Sequence, residues 1–392
     1  MAYDVTSWFQ QQLETRSSEP KRVFTIGTSD YSERVNRWPK FKRTANEIKS
    51  IKIDVPLTNA DGHFNMFHEQ TYSMVQTCTL QIGFTHPTSG DELITIFTGH
   101  LKNVKYSKKD CILRLRDRMW DFAQRKVGDS DAHVDIGSTI PSDIAWTLCT
   151  CYGGLSNVAS TSNPDIEYDD FLAWAEQFSA DSVLMTANYQ GMKITKGLTK
   201  LAAMTDSAIW IEGDGKLRFK RFSEADSLDI TFTHDEYTHL QIDVESLRVV
   251  NKQYVGINYA VESDYWQHTI LDQNTSSVNT FGAHENILRD ESVWYVDSGA
   301  AINLAQRKTM LLEHPPKKFE LGASLFGLNR QIGETIRLVD SFYNITSASG
   351  WRFVEIDFNM DKGQNKFILD EAATIPAFYL DVSNLDGSDR LL

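Results

Sequence analysis

The sequence predicts an α+β protein, predominantly β, in which two antiparallel β-rich regions flank a small helical one. Three observations carry that reading. From Arg22 to Leu115 apolar residues alternate with polar ones between short turn clusters. Between residues 141 and 205 the spacing changes to that of amphipathic helices. After Ser207 the alternation returns, beginning with the stretch SAIWIEGDGKLRFKRF.

Taken in order, Val5, Trp8, Phe9 and Leu13 predict a short helix over 4–15, which TRSSEPKR breaks. VFTIGT, EIKSIKIDVPL, VQTCTLQIGF, ELITIFTGHLKNVKYS and DCILRLR then read as strands of an antiparallel sandwich or barrel. Asp117 is placed to cap a helix that buries Met119, Phe122 and Ala123 and ends at Gly128. A polar linker, GDSDAHVDIGST, leads to three helices. The first, 141–152, starts at Pro141, buries Ile144, Leu148 and Cys151, and stops at Gly153-Gly154. The second, 169–179, turns Phe171, Ala175 and Phe178 inward, and the third, 195–205, does so with Leu198, Leu201 and Ala202.

In the hairpin that follows, Ile209, Ile211, Leu217 and Phe219 share one face, while Glu212, Lys216, Arg218 and Lys220 fall on the other. The Asp-Gly pair within Gly213-Asp214-Gly215 predicts a tight turn with both central residues at positive φ. Beyond it, SLRVVNKQYVGINYAVE, SVWYVD, KFELGASLF, ETIRLVD and GWRFVEIDFNM read as further strands. One helix interrupts them, capped by Ser298, with Ala301, Leu304, Ala305 and Leu312 inward and Pro315-Pro316 as its stop. The chain ends in a tail rich in Asp and Asn. The two β regions are of similar size, but no residue pattern demonstrates a duplication.

Composition narrows the function classes. Of 392 residues, 53 are acidic and 39 basic, a formal charge of −14, which disfavours nucleic acid as a gripped partner. The first residues lack the basic-then-apolar pattern of a signal peptide, and no apolar run is long enough to span a membrane. Cys78, Cys111, Cys149 and Cys151 show no zinc-like spacing, and a reduced, cytosolically made protein is expected.

No catalytic constellation emerges. His63 and His68, with Glu69 adjacent, miss the spacing of paired helical metal ligands. Asp143, Asp165, Asp169 and Asp170 are candidate carboxylates for glycoside hydrolysis, yet they sit near helix starts, where capping accounts for them. Glu212 and Asp214 beside glycines suggest a calcium loop, but Lys216, Arg218 and Lys220 follow at once and oppose a cation; DVSNLDGSDR lacks the closing Glu. The tryptophans fall beside apolar positions, where core packing is the default.

Several segments together resemble the tail hub or baseplate hub proteins of tailed bacteriophages and phage-tail-like particles. They are IKSIKIDVPLTNADGHF, ITIFTGHLKNVKYSKKDCILRLRDRMWDFAQRKVGD, IPSDIAWTLCTCYGGLSNVASTSNPDIEYDDFLAWAEQF, ITKGLTKLAAMTDSAIWIEGDGKLRF, NTFGAHE, AAINLAQRKTMLLEHPP and IGETIRL, spread over residues 20 to 370. The resemblance implies two antiparallel, tail-tube-like β-barrel domains with a small helical domain between them. The expected division is an N-terminal arm (1–20), a first barrel (21–128), the helical domain (129–206), a second barrel with a helical insert near 298–314 (207–371) and a tail (372–392). It also implies a homotrimer joining a six-fold tail tube, or a distal tail protein, on one face to a three-fold spike or tip protein on the other. DNA would pass through without specific binding. The protein would reside in the virion tail, at its tip or baseplate, with no catalytic residue, metal or cofactor. Gly213, Asp214 and Gly215 would form the turn of the hairpin opening the second barrel. The alternatives are a tail-associated carbohydrate- or peptidoglycan-active hydrolase and a monomeric glycan- or receptor-binding tail module.

Overall fold

The computed structural model describes residues 3, 5–15, 19–45, 48, 51–67, 76–128, 134–222, 231–244, 248–345 and 350–371. His68, Glu69 and the C-terminal tail lie outside the described residues. The fold is mixed α/β and mostly β, with two strongly curled half-barrel sheets plus helices.

The first half-barrel orders its strands Ser29–Asp30, Lys21–Ile26, Thr77–His86, Gly90–Tyr106, Asp110–Asp117 and Lys52–Thr58, all antiparallel. Alternation works as the sequence suggests. Cys111, Leu113 and Leu115 turn into the core, and Ile112, Arg114 and Arg116 turn out. The N-terminal helix Ser7–Glu14, capped by the Thr6 hydroxyl, adds Phe9 and Leu13 to that core.

The second half-barrel runs Thr231–Phe232, Thr335–Leu338, Gly350–Asn359, Gln364–Glu371, Lys317–Ala323 and Tyr237–Val244. Both sheets repeat one scheme. A strand is laid down first (Lys52–Thr58; Lys317–Ala323), and then three more form a meander whose last member pairs with it. Both carry a bulge on the middle meander strand opposite the last one, at Lys102 and at Val354. The two β regions therefore share a core strand order that the residues alone do not show. Outside this scheme the sheets differ: Tyr237–Val244 adds a strand beyond Lys317–Ala323, and Lys40–Thr44, from the N-terminal part, pairs antiparallel with Gly350–Asn359 of the second sheet.

A third sheet joins the helices. Val134–Thr139 pairs with Met185–Tyr189, and the path continues through Val293–Tyr295 and Lys252–Ala260 to Tyr265–Gln273, with Glu285–Leu288 beside Lys252–Ala260. The expected polar linker is therefore in part a strand, and Met185–Tyr189 is a strand the pattern did not announce. Tyr168–Ala180, Ile194–Met204 and Ser298–Leu312 pack Phe171, Trp174, Phe178, Leu198, Leu201 and Ala305 into this core.

Three local expectations are corrected. Asp117 ends a strand rather than capping a helix: its buried carboxylate accepts from the Ile51 amide. The helix from Pro141 passes at Leu148–Tyr152 into a π-turn, closed by the Gly153 amide on the Leu148 carbonyl at 2.9 Å. The wider turn shifts the inward face, so Cys149 is buried and Cys151 exposed. Asp297, not Ser298, caps the last helix, accepting from the Ala300 amide at 2.9 Å.

Candidate functional site

The hairpin Ser207–Ile211/Leu217–Arg221 forms a two-stranded sheet of its own, at the place where all three cores meet. Ile209, Ile211, Leu217 and Phe219 enter the helical core, as the alternation predicts, while Ala208 and Trp210 enter the core of the second half-barrel. Its tip lies on the first half-barrel. A methyl group added at Gly213 would collide with the Thr95 carbonyl oxygen.

The turn differs from the expected two-residue form. The Glu212 amide bonds to the Lys216 carbonyl and the Gly215 amide to the Glu212 carbonyl, both at 2.9 Å. Of the three turn residues only Gly215 takes positive φ, +83°. This is a three-residue loop, a turn followed by a left-handed glycine. Gly215 answers to backbone geometry, Gly213 to close approach. Asp214 holds the loop together, accepting from the Lys216 amide and from Arg218, both at 2.9 Å.

Each end of the hairpin carries a buried carboxylate. At the tip, the Glu212 side chain is 0% exposed and pairs with Arg43, itself 7% exposed. Tyr3 donates its hydroxyl to Glu212 at 2.6 Å, the Trp210 indole donates at 3.0 Å and the Gly213 amide at 2.8 Å. Burial alone pushes a carboxyl up; here the Arg43 charge and these donors outweigh it and hold Glu212 below the usual carboxylate range. Burial, then the Glu212 charge, raises the Tyr3 hydroxyl well above the ordinary tyrosine value. At the base, Asp206 sits at φ +50° and takes Lys308 and, at 3.1 Å, Arg307 of the last helix. Burial raises this carboxyl too, and the two cations reverse it.

Such an arrangement is a latch. The oxygens of Glu212 are occupied by protein donors, and breaking a buried charged network of this kind is costly. Arg43 comes from the crossing strand, Tyr3 from the N-terminal segment and Glu212 from the hairpin, so three distant stretches meet at one carboxylate. Sequence reading set Glu212 on the outer face and passed over Arg43. The signal was the alternation in Phe41-Lys42-Arg43, which puts Arg43 in line with a core phenylalanine.

Of the other candidates, Asp170 shares the Arg218 guanidinium with Asp214 of the turn. His63 is exposed and stacks near Tyr31 and Phe64. Asp165 pairs with Arg118 at 2.8 Å and Asp170 with Arg218 at 3.0 Å, while Asp143 accepts from Thr139. Asp169 and Asp170 lie in a first helical turn, where they offset the helix dipole. Among the described residues, no group of three or more His, Cys, Asp or Glu stands together in metal-holding geometry, and no helix is long and apolar enough to cross a membrane. A shallow groove of about 330 Å³ between the N-terminal helix and the first sheet is lined by Trp8, Glu19, Lys21 and Phe84 among others. Glu19 is its single carboxylate, where glycoside hydrolysis needs two.

The sequence matches no family model and no curated protein. Among solved structures, the chain is similar to a 43 kDa tail protein of prophage MuSo2 from Shewanella oneidensis, with 13% identity and a TM-score of 0.54, over 91% of this chain and 99% of that one. It is similar to a tail protein from Neisseria meningitidis MC58 with 13% identity and a TM-score of 0.56, covering 90% and 97%. Prophage tail protein gp18 from Listeria monocytogenes EGD-e matches with 11% identity and a TM-score of 0.51, covering 89% and 94%. Across about nine-tenths of its length, the chain has the fold of prophage tail proteins.

Proposed function

We propose that the protein is a structural, non-enzymatic component of a phage tail: the hub of a tail tip or baseplate, acting as a homotrimer. The observation that carries this reading is the repeated strand scheme of the two half-barrels in one chain. Three chains would then present six similar units to a six-fold tube while keeping three-fold symmetry toward a spike or tip protein. In this reading the first unit takes its strands from residues 21–117 and the second from 231–244 and 317–371, while residues 252–312 join the helical region in a shared core. The hairpin turn Gly213-Asp214-Gly215 and the Glu212 latch serve this role by holding both half-barrels to the helical core. The likeness in fold to prophage tail proteins supports the same reading. A net charge of −14 suits a channel through which DNA slides without being held. Light scattering with negative-stain imaging tests the proposal. A trimer with a central opening is expected. A protein that stays monomeric even when mixed with its tail-tube neighbour, or that degrades peptidoglycan and loses this on single Asp or Glu substitutions, overturns it.

A further inference from the structure

Two open sheet faces of the molecule carry opposite charge, and neither is used by the latch. The first is the outer face of the first half-barrel. There Lys52 and Lys102 each place the ammonium 4.6 Å from the centre of the Trp120 ring, and Arg116 stands at 5.8 Å. No carboxylate among the described residues pairs with any of the three; the ring's π-face is what holds them together. The Lys102 bulge turns that side chain toward the indole. Lys105 extends the patch, and it lies opposite Ile112, which is 39% exposed. Such a concentration of cations in a chain of net charge −14 is a local reversal of sign.

The second is the outer face of the third sheet. Its inner face buries Val255 and Ile257 together with Ala301 and Ala305 of the last helix. On the outer face, Tyr254 stands between Leu271 and Ile287 in register, and those two are 49% and 58% exposed. Exposed Glu262, Asp264 and Glu291 rim one end of this sheet, while beside the apolar row itself Glu285 pairs with Lys252 at 3.5 Å and Arg289 follows Ile287 by two residues. An exposed apolar row with carboxylates rimming one end of its sheet is what a docking surface looks like before it is covered.

We propose that the basic face of one copy docks on the acid-rimmed face of a second copy. This rests on the trimer reading above and names its interface. Two different, complementary faces on one chain make a head-to-tail contact, and such contacts generate rings when the rotation closes. The carboxylates replace the missing partners of Lys52, Lys102 and Arg116, and Ile112 covers part of the row at Leu271 and Ile287. Opposite charge steers the encounter and rejects the like-faced pairing.

The test uses two full-length variants, Lys52→Glu/Lys102→Glu and Glu285→Lys/Glu291→Lys, with sedimentation and light scattering over a concentration series. All four positions are at the surface, and unchanged circular dichroism checks the fold; Lys52→Gln/Lys102→Gln is the milder substitute. The wild type is expected to form trimers that weaken as salt rises. Each variant alone should be monomeric, its association weakened at least about a hundredfold by like-charge contact. Mixed together, the two variants can pair native face with native face and reversed face with reversed face, so they should associate again into alternating species. A three-membered ring, which must set two like variants side by side, should not close. Wild-type protein that is monomeric throughout overturns the proposal, as do variants that remain trimeric. In the latter case the hub reading stands and the interface lies elsewhere. Duplex DNA retained by the wild type and released by Lys52→Glu/Lys102→Glu, with no change in mass, would assign the basic face to phosphate instead and also overturn it.

Discussion

The two half-barrels follow one strand scheme and reach it by different means. In the first, the opening meander strand Thr77–His86 runs ten residues and covers much of its neighbour, Gly90–Tyr106. In the second, the corresponding strand Thr335–Leu338 has four residues and pairs only with the start of Gly350–Asn359. The rest of that neighbour, from Glu355 to Asn359, is paired by Lys40–Thr44. The end of the same strand dips into the first core, where Phe358 stacks at 5.5 Å on Phe41. The first unit is self-sufficient in strands and the second is completed by the first. A repeated strand scheme is thus tied together by a strand of one unit in the sheet of the other, and the Glu212 latch sits where the borrowed strand meets the hairpin.

The sharpest way to break that relation is Arg43→Ala. It removes the cation from a buried pair and strands Glu212, at a cost of about 3–5 kcal/mol. Because Arg43 lies on the borrowed strand, denaturant unfolding should lose its single transition, with the second half-barrel melting first. A single transition with an unchanged midpoint would show that the latch contributes little. The double variant Arg43→Met/Glu212→Gln should recover much of the loss, since no charge is left unpaired.

Acid probes the same junction without mutation. Glu212 and Asp206 both titrate below their ordinary values of 4.5 and 3.8 in the folded chain. Their contribution is therefore complete above those values and is lost as pH falls through the depressed folded ones. Glu334, which burial raises, works with the opposite sign. Stability measured by urea midpoint should fall as pH drops below about 4. Glu212→Gln should flatten part of that slope, and an identical slope in the variant would remove Glu212 from the account. Gly213→Ala comes next in size. Overpacking against Thr95 should cost about 1–3 kcal/mol and shift the hairpin off the first sheet, which hydrogen exchange at the tip would register.

How much of this was legible follows from the range of each interaction. The hairpin faces, five of the six strands of the first half-barrel and the inward stripe of Ile194–Met204 are local patterns, and the sequence displays them. The turn geometry was misread because Asp-Gly alone does not tell a two-residue loop from a three-residue one; the hydrogen bond from Glu212 to Lys216 decides that. Val134–Thr139 alternates too weakly to announce itself, and it becomes a strand through pairing with Met185–Tyr189. Cys149 and Cys151 exchanged places because one π-turn changes the period mid-helix. The latch was hidden for a different reason. Tyr3, Arg43 and Glu212 are far apart in the chain, and nothing near any of them names its partners. Only Arg43, in line with Phe41, carried a hint.

The smallest expected effect separates pairing of backbones from pairing of charges. Lys42 and Glu355 meet across the borrowed strand at 2.6 Å, with Lys42 53% exposed. A pair with its cation at the surface and its carboxylate, Glu355, half-buried is worth about 1 kcal/mol and weakens with salt. Lys42→Ala should therefore move the urea midpoint little, and less still in high salt. Lys42→Pro at the same position leaves the ladder amides of the neighbouring residues in place, since Lys42 is a non-hydrogen-bonded position in this register, but it fixes φ away from the extended value within a strand that pairs with Gly350–Asn359. If the second half-barrel depends on the borrowed strand as a strand, the proline variant should destabilise it far more than the alanine variant. If the two behave alike, the strand is decoration on a half-barrel that stands without it, and the asymmetry between the two units loses its meaning.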